Sequence, residues 1–303
     1  MPRAPVPETL LVTGGRGIIG RHTLADLADA GHRVHALGRT AGRDGRVTWH
    51  VADLLDPRAS TRIVAAIRPT HLLHLAWTTE HGRFWSDPAN LDWVGASLAL
   101  LRAFAAAGGR RVVLVGSCAE YDFSAPGPWA ESAPLSPHTL YGAAKDGLRR
   151  IAGAFCRDAG ISLAWARLFL LCGEGEAGAR LVPSLARALV EGRPAATGPG
   201  TREVDLIDTR DAAAALVRLL FSDIEGPINV ARGVPASIGL IAGALARLAG
   251  RPDLLAIGAL PARPGDPPSL LADTTRLGRE LGFVPRFDLA AMLADALARA
   301  RGA

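Results

Sequence analysis

An apolar run, Thr9-Leu10-Leu11-Val12-Thr13, leads directly into Gly14-Gly15-Arg16-Gly17-Ile18-Ile19-Gly20. The pattern predicts a short strand, then a helix over residues 21–30 closed by Gly31, then a second strand over residues 33–37. Strand, glycine turn, helix and strand within about thirty residues form a dinucleotide-binding unit. Its glycines let the backbone approach a pyrophosphate, which then rests on the helix N-terminus. All seven residues from Gly14 to Gly20 are therefore candidate cofactor contacts. The chain is expected to be α/β, a Rossmann doubly wound parallel sheet.

The end of the second strand selects the cofactor. NAD binders place a carboxylate there for the ribose 2′-hydroxyl, whereas this chain reads Leu37-Gly38-Arg39-Thr40. Arg39 suits a 2′-phosphate, with Arg16 a second candidate, so NADP is expected ahead of NAD. A third strand over residues 47–51 ends at Asp53 and Leu54, where adenine would cross the sheet edge. The fourth, residues 71–77, carries Ala76 near its end, another expected cofactor contact. Its His71 and His74 are three apart and point to opposite faces, so they form no metal pair. The loop over residues 78–90 leaves the carboxyl end of that strand, where open α/β sheets bind ligands. It carries His81 and Trp85, candidate substrate contacts.

A helix over residues 93–107 and a nearly continuous apolar strand over 111–116, buried on both faces, deliver Ser117. Beyond it lies Tyr141-Gly142-Ala143-Ala144-Lys145 on a predicted helix, where residues four apart share a face. Lys145 is the only lysine in the chain; every other basic position is arginine. A compact ammonium cannot be replaced by a planar guanidinium in a crowded site. A positive charge at ~5 Å, at an effective dielectric of ~20, favours a phenolate by roughly 3 kcal/mol. That lowers a tyrosine from about 10 by about two units, towards general acid/base range. The pair marks a proton-transfer site.

A chain of 303 residues at 49% hydrophobic content suffices for one large α/β domain with a smaller companion. The net charge of +5 comes from scattered arginines without a basic block. Small polyanions, not nucleic acid, are the expected ligands. No run approaches the eighteen apolar residues of a membrane span, and the N-terminal MPRAPVPET lacks a signal-peptide core. A cytoplasmic protein is expected. Cys118, Cys156 and Cys172 are odd in number and irregularly spaced, which argues against a disulfide framework and a zinc site.

The residue 13–20 loop, Ser117 four residues before Tyr121, Tyr141-x-x-x-Lys145 and Arg202-Glu203-Val204-Asp205-Leu206-Ile207-Asp208 together resemble the extended short-chain dehydrogenase/reductases. Within them the similarity is to the NAD(P)-dependent epimerase/dehydratase group acting on nucleotide sugars, and it covers nearly the whole chain. The last segment is similar to the family's Arg-Asp-aromatic-valine stretch, with downstream aspartates at Asp208 and Asp211. The resemblance departs in three places: Trp93 and Leu170 stand where the family often has asparagine, and Cys172-Gly173-Glu174 replaces Tyr-Gly-Pro.

The resemblance implies a nucleotide domain over residues 1–170 and 201–231. A smaller discontinuous C-terminal substrate domain takes 171–200 and 232–303. It implies that Tyr141 moves the hydroxyl proton and Ser117 binds the carbonyl oxygen. Lys145 acidifies the tyrosine and holds the nicotinamide ribose. Arg202 and Arg263 are expected on the nucleotide diphosphate, as a guanidinium fork matches its oxygens. It further implies a homodimer through the residue 93–107 helix. The family's 4,6-dehydratases carry Thr-Asp-Glu where this chain has Ser117, Cys118 and Ala119, so no carboxyl stands there for water loss; Glu120 falls on the other face if the segment is extended. With exchangeable NADPH expected from Arg39, the leading expectation is a reductase of a nucleotide-linked 4-keto-6-deoxysugar. A nucleotide-sugar 4-epimerase is the alternative. A non-catalytic NADP(H)-binding sensor on the same fold is the competing class, but it would be expected to have lost the proton-transfer pair.

Overall fold

The computed structural model describes residues 8–125, 127–262, 267 and 269–302. From the N-terminus come β1 (Thr9–Thr13), α1 (Gly20–Asp29), β2 (Arg33–Gly38), β3 (Val47–Val51) and α2 (Pro57–Ile67). Next are β4 (His71–His74), α3 (Ala89–Ala106), β5 (Arg111–Ser117), α4 (Leu140–Asp158) and β6 (Ser162–Leu168). Then follow β7 (Leu170–Cys172), α5 (Leu181–Val190), β8 (Ala195–Ala196), β9 (Glu203–Asp208), α6 (Thr209–Leu220) and β10 (Gly226–Val230). The chain ends with β11 (Pro235–Ser237), α7 (Ile238–Leu248), β12 (Leu255–Ala256), β13 (Ser269–Leu270), α8 (Thr275–Arg279) and α9 (Leu289–Ala300).

Seven strands form one sheet in the order β10-β6-β5-β4-β1-β2-β3. β1 pairs in parallel with both β2 and β4, so the strand order reverses at β1. The crevice beyond the carboxyl ends of β1 and β4 is thus the place where such sheets bind ligands. Every residue of β1 is buried, as expected of a parallel strand covered on both faces. On one face Leu11, Leu37 and Leu72 pack with Leu100 and Phe104 of α3 and Leu148 of α4. α2 starts where the sequence supplies an Asp-Pro signal: Asp56 accepts from Arg58 N–H at 2.9 Å, and Pro57 takes the first helical position.

The chain divides into two compact units. The first comprises residues 1–120, 135–167 and 213–228, and the second 121–134, 168–212 and 229–303. Residues 202–208, expected in the nucleotide domain, do not join the large sheet. β9 pairs with β7 and β13 in parallel and with β11 in antiparallel sense, inside the second unit. The strand is buried from Val204 onward, so its apolar pattern satisfies a small second sheet equally well. α3 also begins earlier than its apolar periodicity suggests, at Ala89, which brings Asn90 into its first turn.

Candidate active site

The glycine loop is built by close backbone approach. Gly14 has φ +71°, a region side chains avoid, and a Cβ there would lie 2.8 Å from Ala76 N. At Gly20 a Cβ would lie 2.2 Å from Gly14 O and 2.7 Å from Gly15 Cα. Gly17 N–H closes the turn onto Gly14 O at 2.9 Å. α1 then starts at Gly20, and Ile19 before it offers no side-chain cap to the helix's first N–H groups. The bare backbone at Gly14, Gly15, Gly17 and Gly20, at the N-terminus of α1, fits a pyrophosphate.

Thr13, the last residue of β1, anchors this loop through a directed chain of hydrogen bonds. Ser97 of α3 donates to Trp93 O at 2.7 Å, so it accepts from His74 Nε2 at 2.8 Å. His74 Nδ1 accordingly accepts from the Thr13 hydroxyl at 2.7 Å, and Thr13 Oγ1 accepts from Ala76 N–H at 3.3 Å. Burial, with the Lys145 charge adding to it, lowers His74 to about 3, so its imidazole is neutral and its tautomer is set by its partners. His71 instead lies half-buried near Phe221, with 5.5 Å between ring centroids.

Arg39, the expected 2′-phosphate contact, stands exposed just after β2. A cavity of about 340 Å³ beside the glycine loop is lined by Arg16, Arg21, Arg43, Gly42 and Trp49 among others, but not by Arg39. Arg16 donates to the Thr40 hydroxyl. Asp53 caps the turn after β3, accepting from Leu55 N–H at 3.0 Å, while Leu54 is buried in the core.

Ser117 ends β5, and its hydroxyl accepts from Ala119 N–H at 3.2 Å. The next residues do not continue extended; Cys118–Glu120 form a turn of 3₁₀ helix. Glu120 therefore swings into the core, accepting from Ser117 N–H at 2.8 Å, from Trp165 Nε1 at 3.0 Å and from Arg167 Nε at 2.8 Å. α4 closes on this segment at Gly142, where a Cβ would meet Ala119 O at 2.3 Å. Only glycine permits that approach, and it sets Tyr141 beside the turn that follows Ser117.

Tyr141 is 8% exposed and walled by aromatic rings. Phe84 and Trp85 meet its ring edge-on, with centroids at 4.9 and 5.8 Å, and its N–H donates to Trp85 O at 3.1 Å. Trp85, predicted to contact substrate, thus packs on the Tyr141 ring while remaining partly exposed; His81 is half-buried in the same loop. Lys145, one helical turn on, donates to Val115 O at 2.9 Å, with Nζ 6.0 Å from the Tyr141 ring centroid. Burial pulls the ammonium down to about 7, and Glu120 acts in the opposite sense. Asn90 and Trp77, which sequence reasoning missed, complete the wall: Trp77 Nε1 donates to Asn90 Oδ1 at 2.8 Å.

In the second unit Arg202 is half-buried, and its carbonyl accepts from Ile238 N–H at 2.9 Å. Arg263 lies outside the described residues. The aspartates of that segment anchor chain. Asp208 accepts from Arg210, and Asp211 accepts from the N–H groups of Arg286 and Phe287 at 2.9 Å. Cys118, Cys156 and Cys172 are all buried free thiols. No metal-holding cluster and no helix able to cross a membrane occurs among the described residues.

A doubly wound sheet with a glycine cradle at its switch point and a buried Tyr-Lys pair on one helix face defines a nicotinamide-dependent enzyme of the short-chain dehydrogenase/reductase class. The chain belongs to the NAD dependent epimerase/dehydratase family, whose model matches residues 10–231. It is 28% identical to UDP-glucose 4-epimerase 4 of Oryza sativa subsp. japonica, over 96% of this chain and 90% of that protein. Among solved structures it resembles the Thermus thermophilus UDP-glucose 4-epimerase complexed with NAD, at 25% identity and a TM-score of 0.84; the match covers 97% of this chain and 99% of that one. MoeE5 in complex with UDP-glucuronic acid and NAD is 29% identical with a TM-score of 0.84, covering 97% and 99% respectively.

Proposed function

We propose that the protein is a nucleotide-sugar 4-epimerase acting on a UDP-hexose, with NAD retained through a full oxidation–reduction cycle. The observation that carries this reading is an intact Ser117, Tyr141 and Lys145 in a chain similar over 96% of its length to a UDP-glucose 4-epimerase. The expectation of a reductase rested on Arg39 and exchangeable NADPH. Solved relatives hold NAD, so the alternative reading takes its place. Dehydration finds no support either, because Glu120 is committed to Arg167 and Trp165.

The backbone of residues 14–20, which ends on the first residue of α1, would hold the cofactor pyrophosphate. Asp53 and Leu54 border the adenine, and Ala76 and Lys145 the nicotinamide ribose. When bound, the nicotinamide supplies a reversible two-electron acceptor. Tyr141 takes the proton of the sugar 4-hydroxyl, Ser117 hydrogen-bonds the same oxygen, and the Lys145 charge favours the phenolate that does so. Tyr141 then returns the proton after the 4-keto sugar has presented its opposite face, which inverts C4. Arg202 and Arg263 are assigned to the diphosphate, and His81 and Trp85 to the sugar. A homodimer through α3 and α4 belongs to the same proposal. It is supported by an apolar cavity of about 370 Å³ lined by Leu98, Leu101, Ile151 and Phe155 on that face, and sedimentation equilibrium tests it.

The test of the reaction is incubation with UDP-glucose or UDP-galactose without added cofactor, followed by chromatography and by mass measurement of the nucleotide released on denaturation. Approach to one epimer mixture from either side, with NAD released, is expected. Water loss from the sugar, or stoichiometric NADPH consumption with a nucleotide-linked 4-keto-6-deoxyhexose, would overturn the proposal.

A further inference from the structure

We propose that Trp77 is a positioning residue of this site: its indole face holds the Lys145 ammonium, and its N–H, through Asn90, holds the loop that walls Tyr141. The inference rests on the reading of Tyr141 and Lys145 as the proton-transfer pair. Lys145 Nζ lies 3.6 Å from the centre of the Trp77 ring, well inside the range over which an aromatic face attracts a cation. The same indole donates to Asn90 Oδ1. Asn90 is fully buried, and its two amide hydrogens go to Phe84 O and Asp87 O, each at 2.8 Å. One side chain thus joins the lysine to the segment that carries Phe84 and Trp85.

The charged and titratable groups facing Lys145 leave the indole a distinct part. Glu120, on the turn after β5, favours the ammonium but spends its hydrogen bonds on Ser117 N–H, Trp165 and Arg167. His74, on β4, is neutral, and Tyr141 shares the helix face. Val115 O takes one N–H of the ammonium. The negative face of the indole opposes the burial that favours the uncharged amine.

A single lysine makes the test direct. Protein grown with lysine labelled with carbon-13 at Cε gives one side-chain signal, which needs neither substrate nor turnover. The wild-type signal is expected at a ring-current-shifted position. In Trp77→Leu the shift disappears and the titration midpoint of the lysine falls by about one pH unit. Trp77→Phe keeps the ring face, so it retains both, while hydrogen exchange of the Tyr141 amide quickens because the tie to Asn90 is gone. A wild-type signal at its unshifted position overturns the proposal, whether or not Trp77→Leu folds. So does a midpoint unmoved in Trp77→Leu, or an exchange rate unmoved in Trp77→Phe. Because the lysine signal is read without a sugar, this result stands apart from success or failure of the epimerase assay.

Discussion

Glu120 Oε2 and Arg167 Nε lie 2.8 Å apart, and neither side chain has any exposed surface. The pair sits directly behind Ser117, whose N–H also donates to Glu120. Removing one partner leaves a buried uncompensated charge. Arg167→Met is expected to lower the unfolding free energy by about 3–5 kcal/mol. Urea denaturation checks it. Glu120→Leu combined with Arg167→Met is expected to cost less than the sum of the single changes, because the double variant leaves neither member of the pair without its partner.

His74 predicts an acid limb of stability. Its folded value of about 3 lies well below that of an ordinary histidine. An unfolded chain takes up this proton below about pH 6.5, while the folded chain refuses it. The contribution is complete above that pH and lost as pH falls towards 3, at about 1.4 kcal/mol per unit. His74→Gln, which does not titrate, is expected to have a shallower acid slope by about that amount. Urea midpoints compared at about pH 6.5 and about pH 4.5 measure the difference, and parallel slopes would remove the assignment.

Tyr141→Phe deletes only the hydroxyl; the edge-on contacts with Phe84 and Trp85 involve the ring and persist. Turnover is expected to fall by roughly 10²–10⁴-fold, the usual contribution of a positioned acid/base. Retention of the nicotinamide cofactor is expected to stay at the wild-type level. Initial rates and the nucleotide released on denaturation check both halves.

Gly20→Ala places a methyl group against Gly14 O and Gly15. Relief requires the loop to move, and overpacking of this kind typically costs about 1–3 kcal/mol. Cofactor affinity is expected to fall by about tenfold or more. Isothermal titration of cofactor-stripped protein reads it; affinity equal to wild type would show that the loop tolerates the displacement.

The parts of the site that are local in sequence were legible there. Residues 9–37 announce the cradle because strand, turn and helix are contiguous, and Tyr141 with Lys145 announce the pair because a helix brings residues four apart together. The partners that hold them were not. Thr13 reaches His74 across neighbouring strands, Glu120 reaches Arg167, and Trp77 meets Lys145 from another element. Such pairs depend on strand order, which no local pattern states. The preference for NADP rested on the absence of a carboxylate at the end of β2, a local signal, whereas the solved relatives that hold NAD favour NAD. Glu120 was placed on the correct side for the wrong reason, since the chain turns after Ser117 instead of running extended.

The glycines at 14 and 20 are crowded by the protein's own backbone, Ala76 N at one and Gly14 O at the other. A descendant that abandoned its cofactor would still be held to glycine at both positions by the need to fold. The sole lysine is held by the Val115 carbonyl and the Trp77 face, contacts its neighbours' folding could forgo, and in a chain this rich in arginine it would drift if the proposed proton transfer ceased to matter. Among diverged copies of this chain, position 145 is therefore the sharper record of surviving chemistry, and the glycine loop records only inheritance of the architecture.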